Sequence, residues 1–458
     1  MIENDAFKLL LINLFHLNPD DIANIFCTTF NKMMVLVVTL TDKHQACPYC
    51  GFTAPKIKEY VTKEITHSAL TTQKCIIKYR ARRYKCSCCG KTYYEFNPFV
   101  FKSQKISILT VHNILKDLKD FNETFTSVAR RYHVSPTSVS TIFDNHVDIG
   151  RNPLPEIINF DEVYAFKSEK SKYVCVILDF KKQIPVDVLP NRKKEYLLNY
   201  FQKIPLEERK KVKYACSDMY EVYRDVVHKV FPSCCMLLDY FHLSQDFHRK
   251  MNEVRIKVMK GYKDNKASDE YYLLKKFNWL LFKNPEDEDK YGRLFDVERE
   301  RKYNSHFKSY MNYYDLRKKL LEINNDLTIC YSLKLELVDF YSKSTIDNAK
   351  VNLENLIRSC IDTNIDEMIA FSNNLINWKQ EIINSFTIVG TEYKVEADKG
   401  QVVVCNKKVN NAIIENRNKI IKCIKNNANG YTNWPRFRNR VMYVLDPNAT
   451  FSLEPREK

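Results

Sequence analysis

The stretch "IINFDEVYAF", residues 157–166, decides how the chain is read. Ile157, Ile158, Phe160, Val163 and Phe166 suit a buried strand, yet Asp161 and Glu162 stand inside it. A carboxylate in such a place costs free energy unless something positive satisfies it. In a regular strand neighbouring side chains face opposite ways, so Glu162 points away from whatever Asp161 serves.

The pattern continues downstream. "KYVCVILDF" (172–180) and "QIPVDVLP" (183–190) are two further strand candidates, rich in β-branched and aromatic residues. "KKEYLLNYFQKI" (193–204) reads as a helix and "KVKYACSD" (211–218) as a strand ending in Asp218. "MYEVYRDVVHKVF" (219–231) is a second helix, and "CCMLLD" (234–239) a short buried strand ending in Asp239. The order βββαβαβ predicts a mixed sheet with helices on its faces, and ligands in such sheets gather near strand ends. Asp161 and Asp218, on separate strands, can share divalent metal. Mg²⁺ prefers oxygen ligands, and two ions about 3.5–4 Å apart can activate a nucleophile and stabilise a leaving oxygen at a phosphate. The bland alternative is strand-end acids that cap helices or pair with arginine.

Upstream, Cys47-Pro-Tyr-Cys50-Gly and Cys86-Ser-Cys88-Cys89-Gly form two C-x-x-C knuckles. Two thiolates at this spacing grip one face of a tetrahedral ion and a second pair closes it, which predicts one structural Zn²⁺ on Cys47, Cys50, Cys86 and Cys89. Gly51 and Gly90 follow each knuckle, where the chain turns tightly. Cys88 could replace Cys86 or Cys89, but the spacing favours the latter two, and Cys75 and His67 read as core or surface residues. Strand-like alternation between the pairs gives a zinc ribbon, about residues 45–92, with Arg80, Arg82 and Arg83 suited to phosphate contacts.

"TFTSVARRYHVSPTSVSTIFDNHV" (124–147) follows a helical stretch and reads as a helix-turn-helix. Val128, Ala129 and Tyr132 face inward on a first helix, and Val139 and Ile142 anchor a second. Ser135 is a good N-cap before Pro136. Thr137, Ser138 and Ser140 would face a DNA groove, with Arg130 and Arg131 beside them; a generic three-helix connector is the alternative.

The chain has 458 residues, suggesting about three domains. Its formal net charge of +16 suits a polyanion partner, although charge alone does not separate DNA from RNA or an acidic membrane. The N-terminal "MIENDAFKLLLINLFHLNPDD" makes a poor signal peptide, and the longest apolar run is too short to cross a membrane. These features predict a cytoplasmic protein with reduced cysteines, where clustered ones favour metal over disulfide. Residues 246–400 are charged and helix-like, except that "FTIVGTEYKVEADKGQVVVCNKK" (386–408) alternates like a hairpin. Tyr271, Tyr272, Leu273, Phe277, Trp279, Leu280 and Leu281 read as packing between helices, with a stacking platform for an unpaired base as the lesser alternative. Near the C-terminus Glu415 stands among Arg417, Lys419, Lys422 and Lys425 on a helix with an isoleucine stripe; by itself it reads as an incidental surface acid.

Together these residues resemble the DDE transposases of the ISL-three insertion-sequence family. "CPYC…CSCCGKTYYEF" is similar to the family's zinc finger, "INFDE" to its first-aspartate strand and "DVLPNRKKEYL" to the stretch after its third strand. "CSDMYEVY" is similar to the second-aspartate motif, "LLDYFHLSQ" to the next element, and "VNNAIIENRNKIIKCIKNNANGYTNWPRFRNRV" to the glutamate block. The resemblance covers most of the chain and is weakest between residues 250 and 380. It implies an RNase-H-like mixed-sheet core interrupted by an α-helical insertion, in a multidomain α/β chain. It implies that Asp161, Asp218 and Glu415 are catalytic, holding two Mg²⁺ (or Mn²⁺), with Glu162, Glu221 and Glu396 as nearby competitors. Asp239 and His242 match a secondary motif. The implied activity is Mg-dependent strand cleavage and strand transfer on double-stranded DNA, at terminal inverted repeats and a target. Arg417, Lys419, Lys422 and Lys425 would contact phosphates, and a homodimer would act on paired ends in a bacterial, nucleoid-associated setting. The alternatives are an inactive DNA-binding regulator or a nuclease that never joins strands. The implied units are residues 1–100, 101–150, 151–248, 249–400 and 401–458.

Overall fold

The computed structural model describes residues 2–43, 46–53, 55–68, 73–101, 104–166, 171–395 and 402–456. It is a multidomain mixed α/β architecture. The N-terminal part comprises α1 (Ile2–Leu14), β1 (Ile22–Phe30), β2 (Met33–Leu40), β3 (Lys56–Thr66), β4 (Cys75–Lys85) and β5 (Thr92–Tyr94). Strands β3 and β4 are those expected between the cysteine pairs, but they belong to a larger sheet of order β1-β2-β4-β3, with β5 on β4. Its core gathers Phe15, Leu36, Ile77 and Tyr79, so the sheet has apolar support of its own beside the cysteines. Cys75 is buried in that core, and His67 is buried between Ser107 Oγ (2.9 Å) and Phe15 O (2.8 Å).

Three helices follow: α2 (Ile108–Asp117), α3 (Phe125–Arg131) and α4 (Pro136–His146). Each begins on a hydroxyl N-cap, Ser107, Thr124 and Ser135, which answers amide groups that have no intrahelical partner. His133 (φ 54°) makes the left-handed turn between α3 and α4. Val128, Ala129, Tyr132, Val139 and Ile142 all enter one core.

The second sheet is built from β6 (Ile157–Val163), β7 (Val174–Asp179), β8 (Pro185–Leu189), α5 (Lys194–Gln202), α6 (Leu206–Arg209), β9 (Tyr214–Ser217), α7 (Glu221–Val230) and β10 (Cys235–Leu238). Its order is β10-β9-β6-β7-β8. β6, β7 and β8 pair antiparallel, while β9 and β10 run parallel to β6. The mixed sheet is the one expected, with the short α6 added.

A long helix, α8 (Tyr240–Lys260), leaves β10 directly and runs unbroken past residue 248. It opens a region of α9 (Asp269–Lys276), β11 (Glu288–Asp289), β12 (Gly292–Arg293), β13 (Lys302–Asn304), β14 (Ser309–Met311), α10 (Tyr313–Glu322), α11 (Asn325–Lys343), α12 (Ala349–Asp362), α13 (Asp366–Asn377) and α14 (Lys379–Asn384). Leu273, Leu280 and Leu281 pack in its helical core. The two small hairpins β11–β12 and β13–β14 stand within the mainly helical region that was expected. Their turns use left-handed residues, Gly292 (φ 97°) and Lys308 (φ 49°), which a helix does not accommodate.

The hairpin expected from alternation is β15 (Ile388–Val395) paired with β16 (Val402–Lys408). The chain closes with α15 (Ala412–Asn427), packed on β6, and α16 (Trp434–Leu445), packed on β8. Tyr443 Oη donates to Leu115 O at 3.0 Å, Arg440 Nη2 to Asp120 O and Glu123 O at 2.8 and 2.7 Å, and Arg436 pairs with Asp144 at 2.6 Å. The last helix therefore fastens the α2–α4 unit to the sheet. Among the described residues no helix is long and apolar enough to cross a membrane.

Candidate active site

Strand pairing builds the site. β9 sets Tyr214 beside Ile157 and Cys216 beside Asn159, and β10 sets Cys235 beside Tyr214 and Leu238 beside Ser217. Extended by the same offsets, Asp161, Asp218 and Asp239 fall in one row across three neighbouring strands. Asp239 N still donates to Ser217 O at 3.1 Å, so the register persists at the end of the row.

Alternation along β6 selects the face. Asn159 Nδ2 donates to Asn411 Oδ1 at 2.6 Å, Asn418 Nδ2 donates to Asp161 Oδ2 at 2.7 Å, and Val163 shares a core with Ile414 and Ile421. These side chains turn toward α15. Phe160 stacks on Tyr223 (5.4 Å between centroids), and Tyr223 Oη donates to Glu162 Oε2 at 3.2 Å. These turn toward α7. Glu162 is also ion-paired with Arg192, whose guanidinium lies over the rings of Tyr173 (4.6 Å) and Tyr220 (4.7 Å). Asp161 and Glu162 thus serve different faces.

Glu415 occupies the first turn of α15. Three asparagines fix that turn. Asn159, fully buried, also donates to Asn410 O at 2.8 Å; Asn411 Nδ2 donates to Phe160 O at 3.3 Å, and Asn411 N to Asp239 Oδ1 at 3.3 Å. Among the described residues, Asp239, His242 and Glu415 form a group whose ligand atoms all lie within 4.8 Å of one another. Asp161 and Asp218 stand in the adjoining row, outside that tight group. Glu415 lies beside Asp239 and His242, and Asn411 N on Asp239 Oδ1 ties the start of α15 to that group. Glu221 lies elsewhere, bonded to Asn377 at 3.1 Å, and Glu396 is outside the described residues.

Electrostatics match the crowding. Burial first, and then the charges of Asp218 and Glu162, push Asp161 up to about 7 against a hydrogen bond from Glu162 N. Burial also raises Asp218, opposed by His242 and Arg192, and raises Asp239, opposed by Asn411 N and His242. Asp218 Oδ1, Asp239 Oδ2 and His242 Nε2 are buried without a hydrogen-bond partner. Buried polar atoms are normally satisfied, so orphans converging on a row of carboxylates fit a divalent cation. A cleft of about 410 Å³ opens beside them, lined by Asp218, Met219, His242, Gln245, Asp246 and Arg249.

The cysteine cluster is a separate place. Cys47, Cys50, Cys86 and Cys89 form a group within 4.8 Å, with Sγ–Sγ separations of 3.7 Å (Cys47–Cys89) and 3.5 Å (Cys50–Cys86). Gly51 (φ 74°) and Gly90 (φ 72°) send their amides back to Cys47 O (2.9 Å) and Cys86 O (3.0 Å), a turn that glycine makes without strain. Four thiols this close are compatible with a zinc ribbon. Cys88 is exposed and outside the group.

Two arginines expected to meet phosphates are already engaged within the protein. Arg82 is bound to Glu95 at 2.7 Å and to Leu40 O at 3.0 Å, and Arg131 is ion-paired with both Asp117 and Glu123. Their acids lie within reach on neighbouring elements, which a linear reading does not show. Arg83 pairs with Glu59 at 2.6 Å on the surface. Arg80 and Arg130 are exposed, as are Thr137, Lys419 and Lys422; Ser138 and Ser140 are half-buried, and their hydroxyls bond Ser135 Oγ (2.8 Å) and Thr137 O (2.9 Å). Arg417 donates to Gln183 O at 3.1 Å, and Lys425 lies 5.0 Å from the Tyr164 ring. Residues missed at first are Asn159, Asn411 and Arg192. Asn159 carried a signal, a polar side chain in an apolar strand two positions before Asp161; the others carried none.

A family model described as a transposase, of the ISL-three type, matches residues 158–402. The match spans the sheet with its three aspartates and the helical region, and stops before Glu415. The chain is also 19% identical over 411 residues to the transposase for insertion sequence element IS1001 of Bordetella parapertussis, covering 89% of this chain and 91% of that protein.

Proposed function

The chain belongs to the ISL-three-type transposase family, and from that premise we propose that it cleaves and joins DNA by divalent-metal phosphodiester chemistry. The observation that supports this most is the row of Asp161, Asp218 and Asp239, with the start of α15 and Glu415 fastened over the same face. In this reading the second sheet is an RNase-H-like core, α2–α4 a helix-turn-helix, and the cysteine module a zinc ribbon. Residues 1–100, 101–150, 151–248, 249–400 and 401–458 are the working units, with α8 shared across the third boundary.

Asp161, Asp218 and Glu415 would hold Mg²⁺, with Asp239 and His242 adjoining. Bound there, such ions supply activation of an attacking oxygen and stabilisation of a leaving one. Asn418 keeps the Asp161 carboxylate in place, and Arg192 balances the charge of Glu162 from the other face. Water frees a 3′-hydroxyl at the element end, and that hydroxyl attacks a target phosphate in line. In this reading no covalent bond forms between protein and DNA, and among the described residues lining the cleft there is no serine, tyrosine or cysteine. Terminal inverted repeats would lie along Arg80, Arg83, Arg130, Thr137, Ser138 and Ser140, and the reacting strand along Arg417, Lys419, Lys422 and Lys425, with two copies on paired ends.

The test is cleavage of the DNA flanking the gene with Mg²⁺, scored for nicks and for joined product. Full activity in Asp161→Ala or Asp218→Ala sinks the mechanism. Nicks without joined product would make the protein a nuclease, and specific binding without either would make it a regulator.

A further inference from the structure

Helix α8 carries more of the cleft than its first turn. Asp239 is its N-cap, and His242, Asp246 and Arg249 follow at spacings of three, four and three, so all lie on one helix face. Asp246, His242 and Arg249 line the cleft together with Asp218. Among the described residues lining that cleft, Arg249 is the one permanently charged cation.

Its setting is unusual for a surface arginine. Asp246 is 5% exposed, in a region already crowded with carboxylates. Asn374 Nδ2, from α13, donates to Asp246 Oδ2 at 2.8 Å, and Arg249 Nη2 donates to Asp246 Oδ1. The Arg249 side chain is nonetheless 66% exposed. A guanidinium has five donors in a rigid fork, so one bond to Asp246 fixes its direction and leaves the others for a second, planar acceptor. A lysine on a flexible stem would not be aimed in this way.

Resting on the reading of this cleft as a DNA-cutting site, we infer that Arg249 clamps a backbone phosphate of the bound strand beside the scissile one, with Asp246 as its positioning residue. The helical rise places Arg249 about 10 Å along α8 from His242, which corresponds to about three nucleotides of duplex, or fewer if the helix crosses obliquely. The Arg249 guanidinium, held on Asp246, also offsets the like charge that a polyanion would otherwise meet from that carboxylate. The competing explanation is that Arg249 only neutralises Asp246 and stabilises the fold.

The experiment uses the full-length protein and the flanking-DNA duplex that serves the cleavage assay. A series of duplexes carries a single neutral methylphosphonate at each phosphate within five nucleotides of the cut. Wild type is expected to lose cleavage roughly ten- to hundredfold at one of these positions, the worth of a charge-assisted hydrogen bond. Arg249→Ala should lose a similar factor on unmodified DNA and become indifferent to that one methylphosphonate, while keeping the wild-type response at the others. Arg249→Lys should recover part of the rate, and Asp246→Asn should blunt the same position, with melting temperature followed in each. If Arg249→Ala cuts at the wild-type rate, or keeps the whole wild-type interference profile while losing only thermal stability, the clamp is overturned and the cutting site stands. If wild type cuts no flanking duplex with Mg²⁺ or Mn²⁺, the reading of the site fails and the clamp with it.

Discussion

Among the described residues two places could hold metal, and they are built in opposite ways. The cysteine group takes its ligands from two short knuckles whose glycine turns make each pair locally, and it is closed, with four sulfurs facing one another. The acidic site would draw its ligands from within β6, from the residues just past β9 and β10 and from the first turns of α8 and α15, spread from Asp161 to Glu415, and it opens on a cleft. A closed four-ligand site suits structure, whereas an open site of oxygens beside a cleft suits substrate. Local chemistry makes the first; strand register and helix docking make the second.

The sharpest way to break this contrast is to remove the cysteine site. Cys86→Ser, or a strong chelator, should abolish zinc binding and unfold the knuckles, a loss on the order of 10 kcal/mol of metal-linked folding energy. Elemental analysis should find about one zinc per chain in wild type and in Cys88→Ser, and none in Cys86→Ser. The β1–β4 sheet, with its own apolar core, should remain protected in hydrogen exchange.

The acidic site should respond differently. Asp218→Asn or Glu415→Gln should lower DNA cleavage by at least about 10²–10³-fold, the scale for removing one preorganised charge-stabilising group. Zinc content and far-UV circular dichroism should not change. A wild-type rate in either variant would mean that the row of acids is structural, like the cysteines.

The asparagine struts sharpen the comparison further. Asn418→Ala and Asn411→Ala remove partners of Asp161 and Asp239, and each should weaken Mg²⁺ dependence by about 10–100-fold without losing the fold. A titration of cleavage rate against Mg²⁺ reads this; at the cysteine knuckles a partner such as Cys89 N on Cys86 Sγ is a backbone amide, which a side-chain change leaves in place.

The smallest effect concerns pH. Asp161 is raised to about 7, so the folded state holds that proton more tightly than the unfolded one. Without divalent ions, stability should therefore fall as pH rises from about 4 through about 7, by a few degrees in melting temperature. Added Mg²⁺ should restore it at pH 8 and do little at pH 5, where the proton competes. An unchanged melting temperature across this range, with and without Mg²⁺, would remove burial of Asp161 from the account.

How much of this was legible follows from the same contrast. The knuckles, the helix capped by Ser135 and the βββαβαβ order were readable because spacing, N-caps and periodicity are properties of adjacent residues. The acid partners of Arg82 and Arg131 were not legible, because Glu95, Asp117 and Glu123 approach them only after folding. The hairpins at Glu288–Arg293 and Lys302–Met311 were hidden in a charged stretch too short to show alternation.

What the sequence determined by itself is an inventory: two thiolate pairs, strands ending in Asp218 and Asp239, and an acid at Asp161 in a strand where burial demands a reason. What only the tertiary structure decided is company. Register offsets between parallel strands set Asp161, Asp218 and Asp239 in one row, and pleating sent Glu162 to the other face. Asn159, Asn411 and Asn418 brought the start of α15, and Glu415 with it, back across more than 170 residues of chain to that row. Those bonds join residues with no local periodicity in common, so the chain must fold before they can be seen.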